Sequence, residues 1–176
     1  MNLQDAESWE IIPFFDSLGN EKELVMMTAE AALAGDFIAG VRVDKKLAGI
    51  TGIRRLWKFV PNLYIVVNAK YQGMHLGNTL MGENLSFARR NYHFLTLSTY
   101  KREEYKPALS LYDKYGFKYL CWHRDHYWMY IAFDKKGALV CKALPFLIPV
   151  FHYLSILLSF FSWTFIKKGY QKLFSH

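Results

Sequence analysis

An apolar run, a glycine-bearing loop and a helix-forming stretch follow one another between residues 62 and 87, and no other part of the chain limits its fold as much. The run is Leu63-Tyr64-Ile65-Val66-Val67, dense in the β-branched and aromatic residues that suit a strand. Gln72-Gly73-Met74-His75-Leu76-Gly77 reads as a loop, and Asn78-Thr79-Leu80-Met81-Gly82-Glu83-Asn84-Leu85 reads as a helix. Backbone N–H groups in the first turn of a helix have no intrahelical acceptor and carry the positive end of the dipole, so this order builds an anion site without a lysine. The loop departs from two nucleotide motifs with the same logic. A Walker loop would end in Gly-Lys-Ser/Thr, which does not follow Gly77, and a dinucleotide fingerprint needs three glycines and a later acid.

About 30 residues further on comes Phe94-Leu95-Thr96-Leu97-Ser98, a period-2 strand, and then Pro107-Ala108-Leu109-Ser110-Leu111-Tyr112-Asp113-Lys114-Tyr115-Gly116-Phe117. Together these segments resemble the GNAT superfamily of acyl-CoA-dependent N-acyltransferases. The family's pyrophosphate loop reads Gln/Arg-x-x-Gly-x-Gly/Ala, matched by Gln72 and Gly77 with His75 in place of the middle glycine. Its later helix often ends in Leu-Tyr-x-x-x-Gly-Phe, matched by Leu111, Tyr112, Gly116 and Phe117. The resemblance covers about residues 37–133.

Residues 4–17 and 21–34 read as helices, and 37–43 and 47–53 as two strands of a hairpin turning at Asp44-Lys45-Lys46. Strand 63–68, helix 77–91, strand 94–99, helix 107–115 and strands 117–123 and 127–133 complete the pattern. The expected fold is α/β, a mixed, mostly antiparallel sheet flanked by helices, with a C-terminal apolar helix added. Residues 1–136 form the acyltransferase-like domain in this reading, and 137–176 a lysine-flanked membrane-associating segment.

The resemblance implies attack of a substrate amine on an acyl thioester, with acetyl-CoA or another acyl-CoA as co-substrate and no metal. Ile65, Val66 and Val67 would pair with the pantetheine arm. Gln72 and the amides of Gly73, Met74, His75, Leu76, Gly77 and Asn78 would hold the pyrophosphate. Tyr112 would be the general acid, a role that suits a phenol with a pKa of about 10 facing a thiolate. The loop position of His75 is read as one with negative φ, tolerant of a side chain. No general base is identifiable. The strand where the family often places a glutamate reads Leu97-Ser98-Thr99-Tyr100, and Tyr105 stands at the approximate place of a cofactor-contacting asparagine. Glu103 and Glu104 read as solvated loop charges beside Lys101, Arg102 and Lys106, or as substitutes acting through water. The alternative function is a non-catalytic binding or regulatory module recruited through its last helix.

Charge is distributed unevenly. The formal total is +7, yet residues 1–40 carry eight acids and one base, residues 41–134 carry fifteen bases and seven acids, and the last 42 residues carry six lysines and no acid. The arginine pairs Arg54-Arg55 and Arg89-Arg90 are dispersed, so a nucleic-acid signature is absent. His123-Arg124-Asp125-His126 reads as a polar turn rather than a metal site. The start of the chain, Met1 to Glu7, lacks the basic and apolar stretches of a signal peptide.

Residues 143–166 contain no charged side chain and are long enough for a bilayer core, which takes about 20 residues. Pro145 and Pro149 each remove a donor, so a clean helix is expected to begin near Pro149. His152, Ser155, Ser159 and Ser162 then share one face. Lys135, Lys136 and Lys142 precede the segment and Lys167, Lys168 and Lys172 follow it, an arrangement that opposes itself across a membrane and favours a bent or in-plane helix. Membrane lipid is the expected partner, with the catalytic domain on the cytoplasmic side. Packing in the soluble core and pairing with a second copy are the other readings. Cys141 beside the segment is a candidate for acylation, and Phe146, Phe151 and Tyr153 are candidates to close over the acceptor.

Overall fold

The computed structural model describes residues 3–4, 8–18, 32–100, 103–123 and 125–173, the last 17 of them as helical backbone alone. In chain order the elements are β1 (Leu3–Gln4), α1 (Ser8–Ser17), β2 (Phe37–Val43), β3 (Lys46–Leu56), β4 (Val60–Val67), α2 (Leu76–Asn91), β5 (Phe94–Tyr100), α3 (Lys106–Lys114), β6 (Lys118–His123), β7 (His126–Ala132) and α4 (Lys135–Leu173). The helix expected at 4–17 starts later. Leu3 and Gln4 instead pair with Val41 and Gly40 as a two-residue edge strand, too short to leave a periodic trace. Most of the helix expected at 21–34 lies outside the described residues.

The strands join in one sheet of order β1-β2-β3-β4-β5-β7-β6. Asp44 and Lys45 (φ 50° and 66°) turn β2 into β3, and Trp57 and Lys58 (φ 48° and 70°) turn β3 into β4. Two consecutive left-handed residues match the right-handed twist of the flanking strands. The crossover through α2 makes β4 and β5 parallel neighbours, joined at Asn62↔Thr96 and Leu63↔Leu97. The remaining strand pairs are antiparallel, so the sheet is mixed and mostly antiparallel as expected.

Alternation along β4 divides the core. Leu63, Ile65 and Val67 face α2, where they meet Met81 and Leu85 at one end and Leu76 and Leu80 at the other. Tyr64 and Val66 face α1 and meet Ile11, Phe14 and Phe15. Asn84, fully buried in α2, donates from Nδ2 to Thr51 Oγ1 and to the Gly52 carbonyl, each at 3.0 Å. Thr51 Oγ1 in turn donates to the Tyr64 carbonyl at 2.8 Å, so α2 is pinned across β3 and β4. Asn84→Ala is expected to destabilise the fold by about 2 kcal/mol, because buried acceptors lose their donor; the shift of the urea midpoint at constant slope measures it.

The helix expected to begin near Pro149 begins fourteen residues earlier. Asp134 starts it, accepting the Gly137 amide on Oδ1 (2.8 Å) and the Ala138 amide on its carbonyl (3.0 Å), and its carboxylate also bonds His93. α4 then runs through Pro145 and Pro149. The packing of Cys141, Leu144 and Ile148 against Val60, Phe94, Leu120 and Trp128 holds this turn of helix despite the missing donors. Cys141 is 2% exposed, which corrects its reading as an acylation site.

Candidate active site

β4 and β5 share their two register pairs near the start of β4, and beyond Leu63 and Leu97 the two strands part. At the point of divergence Asn62 Nδ2 donates to Thr96 Oγ1 (3.2 Å), which donates to the Pro61 carbonyl (2.8 Å). Both polar side chains are buried, so this pin fixes where the gap begins. The pin was not legible in the sequence: Asn62 precedes the apolar run of β4, and Thr96 is one of several hydroxyl residues in β5. Ile65, Val66 and Val67 all lie on the departing part of β4, where they pair with Thr51, Ile50 and Gly49 of β3 on one side. Their other edge runs along the gap.

The chain leaves β4 through one 3₁₀ turn, Ala69–Tyr71, capped by Asn68, whose side chain accepts the Lys70 amide. Gln72, Gly73, Met74 and His75 are exposed, and Leu76 is buried as the first anchor of α2. Gly73 has φ 81°, with open space where a Cβ would be. His75 has φ 58° and is left-handed, which corrects the expectation of a negative φ there. A glycine is expected at this position for conformational reasons, and histidine occupies it at a cost of about 1 kcal/mol. The amides of Leu76 and Gly77 lie in the first turn of α2, where no carbonyl stands one turn back. The Asn78 amide is already committed to the His75 carbonyl at 3.0 Å. The Asn78 Oδ1 accepts from Lys114 Nζ at 2.6 Å and its carbonyl accepts from the Tyr115 hydroxyl at 3.1 Å, which ties the end of α3 to the start of α2 and places a cation beside the loop.

Gly77 permits the close approach of these two helices, since a Cβ there would stand 3.2 Å from Leu111 Cδ2. The next residue, Tyr112, is 9% exposed and packs edge-on against Phe117 at 6.1 Å. Burial, with a smaller contribution from the neighbouring Tyr105, pushes its phenol up to about 12. Gly116 (φ 84°) ends the helix in the left-handed turn that lets Phe117 fold back onto Tyr112, whose carbonyl accepts the Phe117 amide at 3.1 Å. The Leu-Tyr-x-x-x-Gly-Phe spacing is therefore a helix, a turn and an aromatic lock. Glu103 is not part of it: it is 82% exposed and pairs with Lys106.

The His123-to-His126 segment is the β6–β7 turn, with His123 and His126 in register. Among the described residues no group of His, Cys, Asp and Glu is arranged to hold a metal. The polar stripe expected on α4 turns inward at its start: the His152 ring stands 5.1 Å from that of His123. Phe151 packs on Trp57 (5.7 Å) and Phe59 (4.9 Å), so it serves the β3–β4 turn, while Phe146 is 78% exposed.

The gap between two parallel strands, the open loop at a helix start and the buried tyrosine can be set against known proteins. The N-alpha-acetyltransferase RimI of Mycobacterium tuberculosis (strain ATCC 25618 / H37Rv) is 33% identical over 102 residues, which are 56% of this chain and 62% of that protein. The chain thus spans under two thirds of the length of this curated relative. Among solved structures, the yncA protein of Salmonella typhimurium, whose structure holds its cofactor acetyl-CoA, superposes with TM-score 0.61 at 13% identity over 76% of this chain and 94% of the other. The ribosomal-protein-S18-alanine N-acetyltransferase of Escherichia coli gives 0.58 at 15% identity over 76% and 94%. At such identities the superpositions show the fold. The model of the acetyltransferase (GNAT) family matches residues 3–117, well over half of the sequence, and the chain belongs to that family.

Proposed function

We propose that the protein transfers an acetyl or longer acyl group from acyl-CoA to an amine, at a membrane surface against which α4 lies. One observation carries the chemistry: the gap beyond Leu63 and Leu97 opens between the glycine loop and the helix of Tyr112. The edge of β4 there suits an extended, amide-bearing pantetheine arm added as a strand. The loop at the start of α2 suits the pyrophosphate. The amine nitrogen attacks the thioester carbonyl, the C–N bond forms, the C–S bond breaks and the leaving thiolate takes a proton from Tyr112. Two relatives are named for acetylating an N-terminal or alanine amine, which favours acetyl as the group and a protein amine as the acceptor.

The membrane part rests on α4. Within Lys135–Ile156 an 18-residue window has mean hydropathy 1.7 with 17% of its residues buried, so the helix is long and apolar enough to cross a membrane by length and composition. With Cys141, Leu144 and Ile148 on the sheet, Leu139, Phe146, Val150, Tyr153 and Leu154 remain exposed. A helix lying in the leaflet surface buries this second face and keeps both lysine clusters on the cytoplasmic side.

Purified protein given acetyl-CoA, a peptide amine and anionic vesicles tests both parts at once. Thiol release that requires the amine, and flotation of the protein with the vesicles, are expected. Binding of acetyl-CoA without release would replace the enzyme by the binding module, and release without flotation would remove the membrane part alone.

A further inference from the structure

The β3–β4 turn is built against its local preference. Trp57 and Lys58 are both left-handed (φ 48° and 70°), a conformation that glycine and asparagine adopt at least cost. Phe59, beside them, is 49% exposed, and Lys58 is exposed as well. Turn geometry selects none of these side chains. Packing accounts for Trp57, whose indole lies nearly parallel to that of Trp128 with centroids 6.3 Å apart, so the tip of the hairpin curls onto the face of the sheet that carries α4. It leaves Lys58 and Phe59 pointing to no interior.

The turn and the helix share one apolar surface. Phe151 of α4 contacts the rings of Trp57 (5.7 Å) and Phe59 (4.9 Å). Leu147 and Leu154, one turn before Phe151 and one after, lie on the same side of the helix and are exposed. In the neighbouring row Phe146, Val150 and Tyr153 are exposed too, and Lys142 stands one turn ahead of Phe146. The charge around this surface has one sign: Lys58, Lys135, Lys136 and Lys142 are exposed, and no acid follows Asp134 in the chain. A second copy would bring the same lysines against these, whereas anionic headgroups complement them.

We propose that the β3–β4 turn is a second membrane contact, which sinks Phe59 into the leaflet and sets Lys58 among anionic headgroups beside α4. This rests on the membrane reading of α4 above and adds to it a lipid class and an orientation. A single helix in the interface leaves the domain free to roll about the helix axis, and a second point of contact stops that roll. The two side chains divide the task. The ring contributes affinity whatever the lipid charge, and the ammonium contributes the preference for anionic lipid.

Flotation of the full chain with vesicles of phosphatidylcholine, with and without phosphatidylglycerol, tests the proposal. The wild type should partition more strongly to the anionic vesicles. Phe59→Ser should lose about 10-fold in partition coefficient on both kinds, Phe59→Leu should keep the wild-type value, and Lys58→Gln should lose about 5-fold on the anionic vesicles alone. Near-ultraviolet circular dichroism of each variant should match the wild type. Variants that all partition like the wild type would overturn the role of the turn and leave α4 as the contact. A changed spectrum in Phe59→Ser, or Phe59→Leu binding as weakly as Phe59→Ser, would make the ring a packing element and overturn it equally. A wild type that floats with neither vesicle would overturn the membrane reading of α4 together with it, as would a wild type that sediments instead as a dimer split by Phe59→Ser.

Discussion

Replacing Tyr112 by Phe is expected to lower amine-dependent thiol release by about 1,000-fold, with acetyl-CoA binding retained. The substitution keeps the ring that packs on Phe117 and removes the hydroxyl. Burial raises the phenol to about 12 in the free protein, well above a thiol at about 8.5. A thiolate formed in the same dry site is raised by the same desolvation, so donor and leaving group stay matched. The sign of the shift also fixes the pH window. A phenol protonated up to about 12 does not deprotonate between pH 7 and 10, so the wild-type rate should show no alkaline fall in that range from this group. The unfolded chain ionises near 10, so the stability that the neutral phenol contributes is present below pH 10 and lost as pH rises toward 12. Tyr112→Phe should flatten this alkaline loss. A variant with wild-type kcat would remove Tyr112 from the chemistry.

Gly137→Ala is the second large expected effect, a loss of about 3 kcal/mol. A Cβ on residue 137 would stand 1.9 Å from the His93 carbonyl oxygen, 2.6 Å from its carbon and 3.2 Å from Phe94 Cβ. Backbone, not a movable side chain, is in the way. Either the first turn of α4 unwinds, surrendering the Asp134 cap, or the helix lifts from Val60, Phe94 and Trp128. Both outcomes expose Cys141, now 2% accessible. Thiol labelling under native conditions should therefore accelerate in the variant, in step with a lowered denaturation midpoint. Labelling as slow as in the wild type would mean that α4 does not depend on this contact.

Local patterns were the legible part of the chain. β2, β4, β5, β7, α2 and α3 were expected within a few residues of where they lie, because the helices repeat their apolar residues at helical spacing and the strands are short β-branched and aromatic stretches bounded by turn residues. What escaped is set by partners far along the chain. Two residues at Leu3–Gln4 become a strand because β2 has a free edge, and no periodicity can register over two positions. The start of α4 was hidden by Pro145 and Pro149, whose local cost is outweighed by the sheet beneath Cys141, Leu144 and Ile148. His75 was placed correctly in the loop but with the wrong backbone sign, because side-chain type constrains φ only weakly outside proline and glycine. The ring contacts of Tyr100 with Tyr105 and His126 join β5 to the turn before α3 and to β7, and their members are ordinary aromatics until the register of β5 and β7 is known.

The Asn62–Thr96 pin also has a mechanical meaning. Among the described residues β4 and β5 are joined at two register pairs, whereas β3 and β4 share eight and β5 and β7 share seven. The sheet is therefore two stiff antiparallel leaves on a short spine. A pantetheine arm laid along β4 would add rungs where the leaves diverge, so cofactor occupancy is expected to stiffen the joint at Asn62 and Thr96 and bring the two leaves closer to a single slab.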